Sequence, residues 1–554
     1  MTRSWRGATA ASLLLLLACG PAPEGAVESG GVARVPRLGI VLVVDQLRAD
    51  RLDPGLPGGL GRLAREGRVF AQASLGHALS ETCPGHVALA TGRHPGPIGV
   101  PANANLDATT GTPVYCVEDS SETSGVLGEE DVGRSPRRIR ADALGDWLQR
   151  AQPEARVFSV AGKDRSAIAM GGQAPSGVFW SARSAPGFTS SRYYTASLPE
   201  WVATRSSALE RGLPSQWIHA LARAEWPRVG ERERPDDYAA ESPRLGRTSG
   251  HPVRADDAAQ TAAQLYVSPM LDEALLDLAE ELIDRERLGS DETPDLLWVG
   301  LSATDTIGHT YGPESHEAAD ALRRLDRRLD SWLARLESKV GRDNLVVALS
   351  ADHGVLPLPE WLEETGRGTC PRRPARVPLR AVTDPVEALL DRRFGASPDK
   401  QPWLRLSGAQ LAIDRERAER SGTSLDEIVA TARETLDREP SIARTWTPAE
   451  VRASESDEAR LYARSIDPES APDLLVQVAE GCLLTPYPEG TTHGSLHAYD
   501  RRVPLVIWGA GIAAGSDESP VETVDLAPTL AGLLGLSEPQ IEGPPLDGRP
   551  LPLR

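Results

Sequence analysis

The chain has 554 residues, is 40% hydrophobic and 25% charged, and carries a formal net charge of −19. That length exceeds one ordinary compact domain and suffices for a large core, so one large unit with subdomains is expected. The composition excludes a disordered or polytopic chain. The acidic balance excludes a duplex nucleic-acid surface, which needs lysine and arginine to neutralise phosphates. Small anionic ligands stay possible, because bound cations can make one site positive inside an acidic protein.

At the start, Arg3 and Arg6 precede the apolar run Leu13 to Leu17 and then Ala18-Cys19. A basic start and a short apolar stretch read as a secretory signal peptide over residues 1–18, too short to span a bilayer as a mature helix. Leu16-Leu17-Ala18-Cys19 resembles the bacterial lipobox, which implies that Cys19 becomes the lipidated first residue. Residues 19–36, rich in Gly, Pro, Ala and Glu, read as a flexible tether, leaving 37–554 as the folded part. The expectation is an exported chain of the bacterial periplasm or envelope, held to a membrane through Cys19. Cys83, Cys116, Cys370 and Cys482 can pair in such a compartment, in any of three full connectivities.

Apolar runs bounded by turn residues follow at 38–44, 296–300, 345–349, 474–478 and 503–508. Between two of them, His316 to Val340 sets Leu322, Leu325, Leu329, Trp332, Leu333 and Leu336 on one helical face. Continuous apolar strands alternating with such helices predict an α/β fold, a sheet covered by helices on both sides. In open α/β sheets, ligands sit beyond the carboxyl ends of the strands. Asp45, Asp305 and Asp352-His353 each follow a predicted strand, so each arrives at that edge. Two stretches break the alternation. Residues 188–257, rich in Arg, Trp and Pro, read as a cap insertion, and 356–472 as an inserted small α+β subdomain. Within the latter, Ser424 and Glu427 form a capping-box pattern ahead of the stripe Leu425, Ile428, Val429, Ala432 and Leu436.

The chemistry is carried by four short motifs. In Glu81-Thr82-Cys83-Pro84, proline at a first helical position predicts a helix that begins here with Thr82 just before it. A helix N-terminus favours an alkoxide and a phosphate beside it. Asp305-Thr306-Ile307-Gly308-His309 has the form D-x-x-G-H, Asp352-His353-Gly354 is D-H-G, and Thr492-His493-Gly494-Ser495 is T-H-G-S. Together, in this order and with Asp45 ending the first strand, they resemble the alkaline phosphatase superfamily. Within it they resemble the type I phosphodiesterase and nucleotide pyrophosphatase-like group, which includes the PafA-type alkaline phosphatases. The resemblance runs from Leu38 to Leu551 and implies an alkaline-phosphatase-like mixed sheet over 37–554.

It further implies two zinc ions, one held by Asp45, Thr82, Asp352 and His353, the other by Asp305, His309 and His493. Thr82 is then the nucleophile. The segment Gly162-Lys163-Asp164-Arg165-Ser166-Ala167-Ile168 matches the family's K-D-R-x-A-I, whose Lys and Arg contact the extra charged oxygens of a phosphomonoester. Lysine occurs only at Lys163, Lys339 and Lys400, which sharpens that match. The family's phosphate-binding asparagine falls on Asn103, although the usual Trp and Tyr after it are replaced by Asn105 and Leu106, and Asn105 is a possible substitute. His77, His219 and His251 are given ordinary surface or structural use.

The implied reaction is in-line displacement on a small-molecule phosphomonoester through a phosphothreonine. A phosphodiesterase or nucleotide pyrophosphatase with the same metals is the alternative, separable by relative turnover of an aryl phosphate and its methyl diester. A sulfatase would need C-x-P-x-R, which Cys83-Pro84-Gly85-His86 does not match. A lipoprotein that only binds metal or phosphate is disfavoured by the intact ligand set. Nothing in the sequence sets an oligomeric state.

Overall fold

The computed structural model describes residues 35–107, 109–222, 225–537 and 544–553. The signal peptide, Cys19 and nearly all of the tether lie outside the described residues.

Strands β1 (Leu38–Val44), β2 (Arg68–Ser74), β3 (Val157–Ala161), β4 (Gly177–Ser181) and β5 (Phe188–Thr189) belong to one mixed sheet. So do β6 (Asp295–Leu301), β7 (Leu345–Ser350), β8 (Leu505–Gly509) and β9 (Gly515–Glu522). Among the described residues its order is β9-β2-β8-β7-β1-β6-β3-β4-β5. The central run from β7 to β4 is parallel throughout. β8 and β5 flank it antiparallel, and β9 runs parallel to β2 at the far edge.

Every residue of β1 is buried, because successive side chains point to opposite faces and both faces are covered. Ile40, Leu42 and Val44 enter one core, while Val41 and Val43 enter the other. The covering helices are α1 (Gly59–Glu66), α2 (Thr82–Thr91), α3 (Leu144–Ala151), α4 (Asp164–Gly171) and α5 (Met270–Arg285). They continue with α6 (Ala303–Tyr311), α7 (His316–Val340) and α8 (Leu526–Leu533). Helices α1, α5 and α7 pack on the Ile40 side, and α2, α3, α4 and α8 on the Val41 side.

Helix α7 has the bounds its apolar period predicts. The Ser315 hydroxyl caps it by accepting from Ala318 N at 3.0 Å, and Leu325, Leu329, Trp332, Leu333 and Leu336 are buried. Each such side chain contributes roughly 1.5–3 kcal/mol relative to exposure. Its polar Asp326 is buried as well. The carboxylate accepts from Gly58 N at 2.7 Å, Leu60 N at 2.9 Å and Gly61 N at 3.2 Å, satisfying the start of α1, where Gly58 has no side chain to do so.

A second sheet, antiparallel throughout, is built from Leu404–Ser407, Gln410–Ile413, Leu474–Val478 and Ile442–Trp446 in that order. With helices Leu379–Phe394 and Leu425–Leu436 it encloses its own core around Trp403, Leu411, Ile428 and Leu474. The run 474–478 thus leaves the main sheet, to which its apolar character assigned it. Its first three residues are buried on alternate faces, Leu474 and Val476 in the core under those helices and Leu475 in a second cluster with Val451, Ala459 and Tyr462. The Ser424 hydroxyl accepts from Glu427 N at 3.3 Å, but Glu427 pairs with Arg393 rather than returning to the cap. Disulfides join Cys83 to Cys116 and Cys370 to Cys482. Among the described residues no helix is long and apolar enough to cross a membrane.

Candidate metal centre and nucleophile

Because β7, β1, β6 and β3 are parallel neighbours, the residues beyond their carboxyl ends gather at one edge. Asp45 directly follows β1, Asp352 and His353 lie just past β7, and Lys163 lies just past β3. Strand β6 feeds α6, where Asp305 and His309 stand one turn apart on the same face.

Thr82 is the first residue of α2, with Glu81 before it as the N-cap. The sequence expects Thr82 outside the helix and Pro84 at its first position. Pro84 instead falls third, where a backbone N–H would still lack an intrahelical partner, so proline is tolerated. The Thr82 Oγ1 lies 3.4 Å from His353 Nε2, 3.3 Å from Lys163 Nζ and 3.4 Å from Arg165 Nη2. Gly85 permits this approach, since a Cβ there would collide with the Asp352 carbonyl.

Lys163 Nζ sits 2.6 Å from Asp45 Oδ2 and 2.5 Å from Asp305 Oδ2. Burial disfavours the ammonium, but the Asp305 and Asp45 carboxylates outweigh it and hold its pKa above the ordinary value. Burial, and then repulsion from Asp352, push the Asp45 carboxyl well up. Burial acts the same way on Asp305, yet Lys163 and His309 hold it well below the usual carboxylate range.

The donors fit divalent cations of the zinc class. His309 Nδ1 meets Thr491 O at 2.8 Å, His353 Nδ1 meets Gly354 O at 3.0 Å, and His493 Nδ1 meets Ser80 O at 2.7 Å. A carbonyl only accepts, so each Nδ1 carries the proton and each Nε2 keeps its lone pair, as metal-ligating histidines do. Those Nε2 atoms face carboxylates. His309 and His493 lie 3.3 and 3.6 Å from Asp305 Oδ1, and His353 lies 3.3 Å from Asp352 Oδ2. Asp45 Oδ1 is fully buried and accepts no hydrogen bond among the described residues. An orphaned carboxylate oxygen facing converging imidazole lone pairs is costly without a cation. At this edge, two groups of described residues meet the spacing of a metal site, Asp45 with Asp352 and His353, and Asp305 with His353 and His493, the donor atoms of each within 4.8 Å of one another.

Asn103 and Arg165 complete the surroundings of Thr82. Asn103 is pinned three ways: its N–H donates to Glu81 Oε2 at 2.7 Å, its Oδ1 accepts from Cys83 N at 2.8 Å, and its carbonyl accepts from Cys116 N at 2.9 Å. Asn103 lines a cavity of about 470 Å³ together with Arg165, His309 and His493, and Leu406 and Tyr462 line its apolar part. Asn105 sits in the short strand Ala104–Leu106 beside it.

Several residues at this centre were given no role from the sequence. Gln46, the residue after Asp45, donates from Nε2 to Asp305 Oδ1 at 2.8 Å and from its N–H to Asp352 Oδ1 at 3.1 Å. It does so from a left-handed backbone, φ +67°, and Gly308 of D-x-x-G-H makes room for its side chain. Tyr115 and Asp164 hold Arg165, which donates from Nη1 to the Tyr115 oxygen at 3.2 Å, while the Tyr115 hydroxyl donates to Asp164 Oδ1 at 2.6 Å. Adjacency to Asp45 and a place inside K-D-R were the available signals. Of the histidines given surface or structural use, none is on the surface: His77 is 0% exposed, His251 1%, and the His219 side chain 8%.

A helix-covered sheet whose carboxyl edge gathers candidate metal-ligand groups around a threonine at a helix start is the setting expected of a phosphate-ester hydrolase. Residues 39–500 match the type I phosphodiesterase / nucleotide pyrophosphatase family, and the chain belongs to that family, part of the alkaline phosphatase superfamily. It is 29% identical over 528 residues to alkaline phosphatase PafA of Elizabethkingia meningoseptica, covering 93% of this chain and 94% of that one. It is 31% identical over 543 residues to alkaline phosphatase PhoK of a Sphingomonas species, covering 93% and 91%. The crystal structure of wild-type alkaline phosphatase PafA matches with a TM-score of 0.84 at 28% identity, over 94% of this chain and 99% of that one.

Proposed function

We propose that this chain, a phosphoric monoester hydrolase, acts through a phosphothreonine at Thr82 with two zinc ions, outside the cytoplasm and tethered by lipid at Cys19. The observation that carries the monoester reading is the convergence of Lys163 Nζ and Arg165 Nη2 on Thr82 Oγ1, at 3.3 and 3.4 Å. A terminal phosphoryl group presents three nonbridging oxygens, and an ammonium with a guanidinium neutralises charge that a diester lacks.

Asp45, Thr82, Asp352 and His353 would hold one zinc ion, and Asp305, His309 and His493 the other. Bound there, they supply Lewis acidity that lowers the pKa of the Thr82 hydroxyl and counters charge on the leaving oxygen. Thr82 gives up its hydroxyl proton to solvent, Oγ1 attacks phosphorus in line, the bond to the leaving oxygen breaks, and that oxygen departs with the electron pair and takes a proton from solvent to become the alcohol. Water then attacks phosphorus from the vacated side and gives up one proton, the bond to Oγ1 breaks with its electron pair staying on Oγ1, which takes up that proton, and inorganic phosphate is released. Lys163, Arg165 and Asn103 bind the nonbridging oxygens throughout, which suits a loose transition state that needs positioning and charge more than covalent help.

The test is Lys163→Ala with Arg165→Ala, assayed on an aryl phosphate and on its methyl diester. Charge-assisted contacts that strengthen in the transition state contribute about 2–4 kcal/mol, and about 1.4 kcal/mol is tenfold in rate. Monoester kcat/KM is expected to fall by about two or more orders of magnitude, with the diester much less affected. An equal fall on both substrates would overturn the monoester role and favour diester hydrolysis.

A further inference from the structure

Away from the sheet edge, two histidines from the segment before α5 meet the start of α7. A two-residue ribbon pairs Gln216–Trp217 with His251–Pro252, setting His251 opposite Trp217. The ribbon is fastened to α7 through Asp320, which accepts from Trp217 Nε1 at 2.8 Å and from Ala220 N at 2.7 Å. One turn earlier on α7 lies Glu317, 0% exposed.

Three donor atoms come together there. His251 Nε2 is 3.1 Å from Glu317 Oε1, His219 Nε2 is 3.7 Å from the same oxygen, and the two Nε2 atoms are 3.3 Å apart. Ligands roughly 2.0–2.2 Å from one tetrahedral ion lie about 3.3–3.6 Å from each other, which is the size of this triangle. His251 Nδ1 faces Leu245 O at 3.2 Å, where only a donor is satisfied, so the His251 Nε2 keeps its lone pair. One proton between two imidazole nitrogens and a carboxylate cannot satisfy all three contacts. Glu317 Oε2 and Glu241 Oε2 are both buried and accept no hydrogen bond among the described residues.

We propose that His219, His251 and Glu317 form a third cation site, taking a divalent ion of the zinc class with two nitrogens and one carboxylate oxygen. The site is distinct from the pair of groups around Thr82 and does not rest on the reading given to them. Its role is a clamp. It fixes the ribbon of Gln216–Trp217 and His251–Pro252 to α7, next to α6, where His251 Nδ1 also lies 3.1 Å from the Tyr311 oxygen and Ser242 N donates to Thr310 O at 2.9 Å. Helix α6 carries Asp305 and His309, so the clamp supports the element that presents them.

The full-length protein, saturated with zinc and then desalted, is measured for zinc per chain by mass spectrometry, beside His219→Gln and Glu317→Gln. Each variant is expected to retain one fewer zinc per chain than wild type and to melt at a lower temperature. Unchanged stoichiometry in a folded variant would overturn the site. Wild-type crystals give a test that needs no variant. An anomalous peak at the zinc edge is expected about 2 Å from all three donor atoms, and the absence of such a peak in zinc-saturated crystals would overturn it too.

Discussion

At Thr82 two cations of different kind share one small volume, and they are held there by different means. Lys163 is a point charge gripped between Asp45 and Asp305, whereas Arg165 is a plane whose orientation must be fixed. Its Nη1 side donates to Tyr115, leaving Nη2 for the Thr82 oxygen. Burial opposes ionisation of Asp164, but Arg165, Tyr115 and Arg134 hold its carboxyl below the usual range, so this support is charged when the cation is in place. Tyr115→Phe removes the oxygen that links Arg165 to Asp164. A typical hydrogen bond contributes about 0.5–1.5 kcal/mol net, so kcat/KM on an aryl phosphate should fall roughly 2- to 12-fold, less than with Arg165→Ala. An unchanged value would remove Tyr115 from this positioning role. K-D-R singled out Lys163 and Arg165 in the sequence. Asp164 between them was given no role, because nothing local says that Tyr115 and Arg134 fold over it.

Helix α6 depends on a carboxylate from another helix. Ser302 offers its N-terminus no side-chain cap, and Asp272 of α5 accepts from Ala303 N at 2.9 Å. Burial pushes the Asp272 carboxyl up to about 7. The folded chain therefore keeps this proton at a pH where the unfolded chain has released it. Its contribution to stability is full in acid and is lost as pH rises through about 7. One such group gives at most about 1.4 kcal/mol per pH unit. Asp272→Asn keeps an acceptor for Ala303 N and removes the titration, so Tm should decline less steeply than in wild type between about pH 4.5 and 7. Parallel melting curves against pH would mean that Asp272 does not titrate in that window. Helices of this kind divide what was legible. The apolar period of α7 gave its bounds and buried face, and the unbroken run 38–44 gave a strand covered on both sides. The cap that Asp326 provides to α1 was invisible, since the partners are 268 residues apart and an acidic residue on a polar-patterned helix reads as solvated.

For the whole chain, the motifs at strand ends located the centre because parallel strands deliver their carboxyl ends to one edge. The disulfides were out of reach, since spacing admits every pairing and only the fold brings Cys83 to Cys116 and Cys370 to Cys482. The proposed lipid anchor belongs to the same scale. Cys19 precedes the described fold, so Cys19→Ser should abolish labelling by a fatty-acid probe and leave turnover by the soluble enzyme unchanged. An unlabelled wild type would overturn the lipid tether. The Cys370–Cys482 link, with Cα atoms 4.7 Å apart, means that the chain leaves and returns at nearly one point. Leu406 and Tyr462, on the apolar side of the cavity, lie between those cysteines, whereas Asp45, Thr82, Lys163, Asp305, Asp352 and His493 all lie outside. The wall of that cavity is shared, however, since Leu356, Leu483, Leu496 and Tyr499 line it from outside the closed stretch. Replacing the closed stretch alone would therefore alter one wall of the cavity and leave the other wall, with Asp45, Thr82, Lys163, Asp305, Asp352 and His493, as it is.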